Sequence, residues 1–255
     1  MGVDASRFDL AGATALVTGA SRGIGRAIAL GLAAVGADVA GIARTETALS
    51  ELGGEVRALG RGFLAVPADV RDPEAGESAV ERAWGWRGRI DILVNAAGVI
   101  VRSDPPGVTL EEFDLVFDTN VRGTFFLTQA VGARMLEAGG GSIVTVASLA
   151  GEVVTGAAVT YQASKAALVQ MTRALAVRWA PTVRVNAVGP GYVRTSLNSA
   201  WLDEPDNLRY VTERTPLGRV GTPEDVVGAV VFLASPASAF VTGQHLLVDG
   251  GWSAQ

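Results

Sequence analysis

Seven short apolar runs without polar alternation recur along the chain, separated by longer stretches with helical spacing. The runs are Thr14–Thr18, Asp38–Ala43, Gly62–Pro67, Ile90–Asn95, Ser142–Ala147, Val183–Val188 and His245–Val248. A strand with one wet face alternates apolar and polar residues. A strand apolar at nearly every position is buried on both faces, as in a parallel sheet covered by helices on either side. Helices are expected near residues 23–35, 45–53, 73–87, 109–137, 159–179 and 223–234. Thr109-Leu-Glu-Glu and Thr222-Pro223-Glu224-Asp225 each offer a capping hydroxyl followed by first-turn acids, which marks two helix starts. The expected fold class is α/β: a doubly wound, seven-stranded parallel sheet, Rossmann-like, in a single domain over 1–255. The irregular segments 98–108 and 190–215 follow the carboxyl ends of strands, where open parallel sheets bind ligands.

Composition removes several function classes. The net charge is -5 and the arginines are scattered, so no basic block addresses nucleic acid or an anionic membrane. With no cysteine, disulfides and thiol catalysis are excluded. No secretory signal is expected, because Asp4, Arg7 and Asp9 interrupt an apolar start, and a cytoplasmic protein is expected. The six residues from Met1 to Ser6 fit a loose myristoylation pattern, read as chance because no second membrane signal lies nearby. Val226 to Val248 is uncharged, but Ser235-Pro236 and Gln244-His245 break it into a buried helix and a buried strand. No clustered His or carboxylate resembles a metal site, so none is expected.

The first strand runs into Thr18-Gly19-Ala20-Ser21-Arg22-Gly23-Ile24-Gly25, which opens a helix. Glycines there let the backbone approach a pyrophosphate, and the helix N-terminus supplies free N–H donors. The second strand ends near Ala43-Arg44, where an acid would bind a ribose 2′-hydroxyl and repel a 2′-phosphate. No acid stands there. Arg44 and Arg22 instead favour NADP over NAD, with Thr45 or Ser21 adding a hydroxyl contact.

Tyr161-Gln-Ala-Ser-Lys165 places a phenol and an ammonium one helical turn apart, on one face. A cation beside a phenol lowers its pKa and makes it a usable acid/base. Lys165 is the only lysine in a chain that otherwise uses arginine. Ser148 ends the fifth strand thirteen residues before Tyr161, and Asn120 sits mid-helix, an unfavourable place that implies a water or local backbone contact.

Thr18–Gly25, Asn95-Ala96-Ala97-Gly98, Asn120, Ser148, Tyr161, Lys165 and Pro190-Gly191 together resemble the short-chain dehydrogenase/reductase family over essentially the whole chain. The resemblance implies Tyr161 as acid/base, Ser148 holding a substrate carbonyl, Lys165 binding ribose and tuning Tyr161, and Asn120 anchoring a relay water. It further implies Asp69 and Val70 at adenine, Asn95 and Gly98 near the adenosine side, and Val193 with Thr195 at the nicotinamide carboxamide. It also implies a homotetramer formed through 159–179, 223–234 and His245–Val248, which gives His245 a packing or interface role. Ala96 departs from the family, which more often has a second Asn there, and this puts a sheet-stabilising contact in question.

Ketone and secondary-alcohol interconversion follows from the constellation. The pocket is expected to be lined by Leu149, Ala150, Tyr192 and Trp201 beside Ser148, with Arg102 placed to pair with a substrate carboxylate. Residues 98–102, 59–64 and 248–252 are similar to gluconate and deoxygluconate dehydrogenases, which favours a sugar acid or its keto form. The nearest competing reading is a 3-oxoacyl carrier-protein reductase, for which Arg134 and Arg173 are the available carrier contacts. A non-catalytic NADP sensor or scaffold is expected to lack part of the tetrad, and all four groups are present.

Overall fold

Seven parallel strands form the sheet of the computed structural model, which describes residues 4–255. The lipidation-like pattern begins in Met1–Val3, outside the described residues. The strands are β1 (Thr14–Thr18), β2 (Asp38–Ala43), β3 (Phe63–Pro67), β4 (Ile92–Asn95), β5 (Gly141–Val146), β6 (Val183–Pro190) and β7 (His245–Val248). Their order is β3-β2-β1-β4-β5-β6-β7, and the seven parallel strands are those the apolar runs predict.

The helices are α1 (Gly23–Ala34), α2 (Glu46–Ala58), α3 (Pro73–Arg87), α4 (Leu110–Phe117), α5 (Thr124–Ala138), α6 (Val159–Trp179), α7 (Ser199–Leu202), α8 (Pro205–Arg214) and α9 (Pro223–Ala234). Alternate strand residues feed two cores. Val17, Val39, Val94 and Val144 join Ile28, Leu32 and Val230 on one face of the sheet. Leu16, Ala40, Leu93 and Ile143 join Val80, Val131 and Met135 on the other. Both faces of every central strand are therefore dry. Each large apolar side chain buried this way contributes about 1.5–3 kcal/mol, which is why the runs carry no polar alternation.

Both threonine capping boxes form, at Thr109 with Glu112 and at Thr222 with Asp225. Three segments differ from the sequence expectation. The helix expected over 109–137 is two helices joined by a π-helical turn, Asp118–Gly123. The wider turn carries an extra residue and brings Asn120 into the interior, with no exposed surface. The helix expected over 45–53 runs on to Ala58. Gly53 is there to admit the Phe63 ring, 2.7 Å from where a Cβ would stand, rather than to stop the helix. The 190–215 segment contains α7 and α8, the latter anchored by buried Val211.

Strand order reverses between β1 and β4, so their connections leave in opposite directions and open a crevice at the carboxyl edge. Among the described residues, no helix is long and apolar enough to cross a membrane.

Candidate active site

The crevice is a cleft of about 560 Å³. Gly19, Ser21, Arg22, Gly23, Ile24 and Gly25 line it, with Arg44, Thr45, Asp69, Val70, Ala96 and Gly98. Ser148, Tyr161, Lys165, Pro190, Gly191, Val193 and Thr195 line it too, whereas Asn95 and the fully buried Asn120 do not. The β1–α1 turn is shaped as a cradle. Gly19 has φ +64°, and a Cβ on it would stand 2.8 Å from the Ala97 nitrogen. A Cβ on Gly25 would overlap the Gly19 carbonyl oxygen. The turn thus exposes bare backbone at the mouth of α1, the arrangement a dinucleotide pyrophosphate requires. Thr195 closes over it, its methyl 3.4 Å from the position of a Gly23 Cβ.

Asn95 is the cofactor-side exception. It does not line the cleft; its amide donates to Thr128 Oγ1 at 2.8 Å and Thr145 Oγ1 at 3.4 Å, tying β4 to its neighbours. The missing second Asn at Ala96 is made good from β1. Thr18 Oγ1 accepts the Ala96 and Ala97 N–H groups at 3.0 and 3.1 Å and holds the end of β4 to the phosphate turn.

At the far end of the cleft, Arg22 and Arg44 are joined by Arg71, which the sequence reading missed. Arg71 binds the Asp69 carboxylate through Nη2 at 2.7 Å and through its own backbone N–H at 3.0 Å. These bonds, with the more distant Arg44 charge, hold Asp69 below the usual carboxylate range. The carboxylate expected at adenine is therefore already engaged. Only its partner's position, two residues along a loop, could have pointed to this pair.

The catalytic groups come from two elements. Ser148 follows β5 and starts a 3₁₀ turn, Leu149–Gly151, its Oγ accepting the Ala150 N–H at 3.1 Å. Tyr161 and Lys165 lie one turn apart on α6, and Ser148 is near enough to the Tyr161 hydroxyl to favour its ionised form. Lys165 Nζ donates to the Val146 carbonyl at 2.9 Å and stands 5.6 Å from the centre of the Tyr161 ring. Burial opposes ionisation of both groups. It raises the Tyr161 phenol above its ordinary value and lowers Lys165 to about 8. The expectation that Lys165 lowers Tyr161 is corrected here: Ser148 and the Arg102 charge supply the downward pull, and desolvation outweighs them.

Asn120 is fully buried. Its Oδ1 accepts the Val99 N–H at 2.8 Å, and its Nδ2 donates to the Val99 carbonyl and to Ser164 Oγ, both at 3.0 Å. Ser164 Oγ in turn donates to the Tyr161 carbonyl at 2.7 Å. Asn120 thus ties the turn after β4 to the helix bearing Tyr161. Both amide hydrogens are taken, which leaves an oxygen lone pair as the side chain's only means of holding a water.

A smaller pocket opens beside Tyr161, lined by Arg102, Ser148, Leu149, Ala150 and Tyr192, and also by Thr155 and Asn198. Trp201 is outside it. Its ring stacks on Tyr192 at 5.7 Å, while the Arg102 guanidinium lies 4.9 Å from its centroid. Trp252 closes the stack against Tyr192 at 4.9 Å. Trp201 therefore supports the wall and aims Arg102. Among the described residues no cluster of His or carboxylates could hold a metal.

The arrangement offers a phosphate cradle, an arginine-rich ribose end, a half-buried phenol beside a serine hydroxyl, and a small side pocket. Residues 19–253 match the family model described as enoyl-(acyl carrier protein) reductase. The chain is 38% identical to the 2-dehydro-3-deoxy-D-gluconate 5-dehydrogenase of Dickeya dadantii, over 97% of this chain and 98% of that protein. A solved short-chain type dehydrogenase/reductase from Mycobacterium marinum superposes with a TM-score of 0.93 at 40% identity, covering 98% and 99%. A gluconate 5-dehydrogenase from Burkholderia cenocepacia, in complex with NADP and tartrate, superposes with a TM-score of 0.94 at 35% identity, covering 98% of each chain.

Proposed function

Because the chain belongs to the short-chain dehydrogenase/reductase family, we propose that it is an NADP-dependent oxidoreductase interconverting a sugar acid and its keto form. NADP, when bound, supplies or accepts the hydride. The glycine turn receives its pyrophosphate, Arg22 and Arg44 its 2′-phosphate, and Val193 and Thr195 its nicotinamide end. Ser148 Oγ holds the substrate oxygen beside the Tyr161 hydroxyl. Tyr161 gives a proton to that oxygen as the ketone is reduced and takes it back as the alcohol is oxidised. Lys165, buried against the cofactor side of Tyr161, binds ribose hydroxyls. Asn120 keeps α6 in register with the cleft.

The single observation that carries the sugar-acid reading is Arg102. Among the described residues it faces no carboxylate within ion-pair distance. It lies over the Trp201 ring at the rim of the Tyr161 pocket, and its charge is felt at both Tyr161 and Tyr192. An uncommitted guanidinium over a pocket with hydroxyl-bearing walls suits a carboxylate on a polyhydroxy chain. The Burkholderia relative, with its tartrate, binds a hydroxy acid.

The protein is further read as a homotetramer working in the cytoplasm. Exposed apolar side chains at Val177 on α6 and Leu246 on β7 lie on the elements through which such an assembly would form. The decisive assay is a panel of keto-gluconates, neutral polyols and acetoacetyl thioesters, each run with NADP(H) and NAD(H). Turnover of the thioesters without any of the keto-gluconates would sink the sugar-acid reading.

A further inference from the structure

Away from the reacting groups, one charged cluster connects the Ser148 turn to two other elements. Glu152 caps the 3₁₀ turn that Ser148 begins. Its Oε1 accepts from Arg173 Nη2 on α6 at 2.9 Å and faces His245 Nδ1 on β7 at 3.0 Å. The His245 side chain is only 3% exposed. Its Nε2 has no hydrogen-bond partner and abuts Gly189 of β6 so closely that a Cβ there would overlap it. One tautomer fits: the proton on Nδ1, donated to the carboxylate, and a bare Nε2 against carbon. Burial holds His245 below its ordinary range, and its hydrogen bond holds Glu152 below the usual carboxylate range. A neutral imidazole thus faces an ionised carboxylate at neutral pH. Glu152 and Arg173 are the charged groups that bear on it.

The turn is packed inward through buried Leu149 and Ala150, and Gly151 lies close against Lys165 of α6, but its side-chain hydrogen bonds to other elements are few. Ser148 Oγ bonds the Ala150 N–H, and the Ser148 carbonyl accepts the Gly151 N–H, both inside the turn. Glu152 is where side-chain hydrogen bonds leave it for α6, two turns beyond Lys165, and for β7. We propose that His245 and Arg173 are positioning residues: by clamping Glu152 between α6 and β7, they fix the turn on which Ser148 presents its hydroxyl to the substrate oxygen. The inference rests on the role proposed for Ser148. Misplacing a reacting contact by about 1 Å can cost on the order of a hundredfold in rate, and a loosened turn sits below that limit.

The test compares His245→Leu, His245→Asn and Glu152→Ala in the wild-type and Ser148→Ala backgrounds, following kcat, KM and NADP affinity. In the wild-type background, His245→Leu and Glu152→Ala are expected to lower kcat about tenfold, with NADP affinity unchanged. His245→Asn, which keeps a donor near the Nδ1 position, is expected to restore most of the rate. In the Ser148→Ala background neither change should lower the residual rate further, since two residues acting through one contact are not additive. Wild-type rates in the Leu and Ala variants, or the same tenfold loss without the serine, overturn the proposal. A fully active Ser148→Ala enzyme removes the functional reading itself, a separate and recognisable outcome. Should His245→Leu not fold, Glu152→Ala carries the test alone, because its side chain is one-third exposed.

Discussion

Replacing Thr18 by Val keeps the size of the side chain and deletes one oxygen, which makes it a sharp probe of how the cleft is held together. Thr18 is 2% exposed, and its Oγ1 accepts the backbone N–H groups of Ala96 and Ala97 at 3.0 and 3.1 Å. The valine leaves two donors without a partner, at roughly 1–3 kcal/mol each when fully buried. Both alanines are only part-buried and face the cleft, so water recovers some of that loss. The expected cost is then about 2–3 kcal/mol, near the lower end of the sum. In a domain of this size each kcal/mol lowers Tm by about 2–4 °C, so a fall of roughly 4–12 °C is expected. Urea unfolding should show a lower midpoint with an unchanged slope. NADP should bind several-fold more weakly, because the released turn lines its cleft. Thr18→Ser, which retains the acceptor, should stay close to wild type. A valine variant within about 0.5 kcal/mol of wild type, or a serine variant as damaged as valine, refutes the reasoning.

Three further outcomes are expected. Tyr161→Phe should lower turnover by about 10²–10⁴-fold, the usual worth of a general acid/base, while calorimetric titration finds NADP affinity little changed. Arg22→Ala and Arg44→Ala should each weaken NADP by about 10–100-fold and leave NAD affinity nearly unaltered, since a charge-assisted bond is worth about 1.5–3 kcal/mol. Burial lowers Lys165 from 10.5 to about 8, so between those pH values the unfolded chain holds a proton that the folded chain has released. Stability contributed by this site therefore rises with pH across that window and is absent below it; compared with Lys165→Met, the wild type should gain up to about 3 kcal/mol between pH 7.5 and 10.5 in urea titrations.

The order of strands and helices is legible because burial on both faces removes polar residues from every central strand. The bounds of α3, α6 and α9 are legible because a proline, a long helical period and a capping threonine mark them. The cleft residues follow from where the β1, β2 and β4 runs end. What escapes the sequence depends on contacts between distant segments. The π-helical turn at Asp118–Gly123 inserts one residue into an otherwise regular period, and no local pattern announces it. That α2 continues past residue 53 is not visible locally, because Gly53 is accommodated by the distant Phe63 ring packed on it. Asn95 lies one residue from the cleft, and strand alternation sends its side chain to Thr128 and Thr145 instead. The upward shift of Tyr161 needs the whole packed environment, because burial and not the neighbouring lysine decides its sign.

Lys165 has one more consequence, in chemical labelling. It is the only side-chain primary amine in 255 residues, and it lines the cleft. At a pKa of about 8, roughly a tenth of it is free base at pH 7, against well under a thousandth for a solvated lysine. Reductive methylation with isotopically enriched formaldehyde therefore places a single side-chain reporter on the molecule, at the reaction centre. Its chemical shift reads out, residue-specifically and without mutation, whatever enters or leaves the space beside Tyr161.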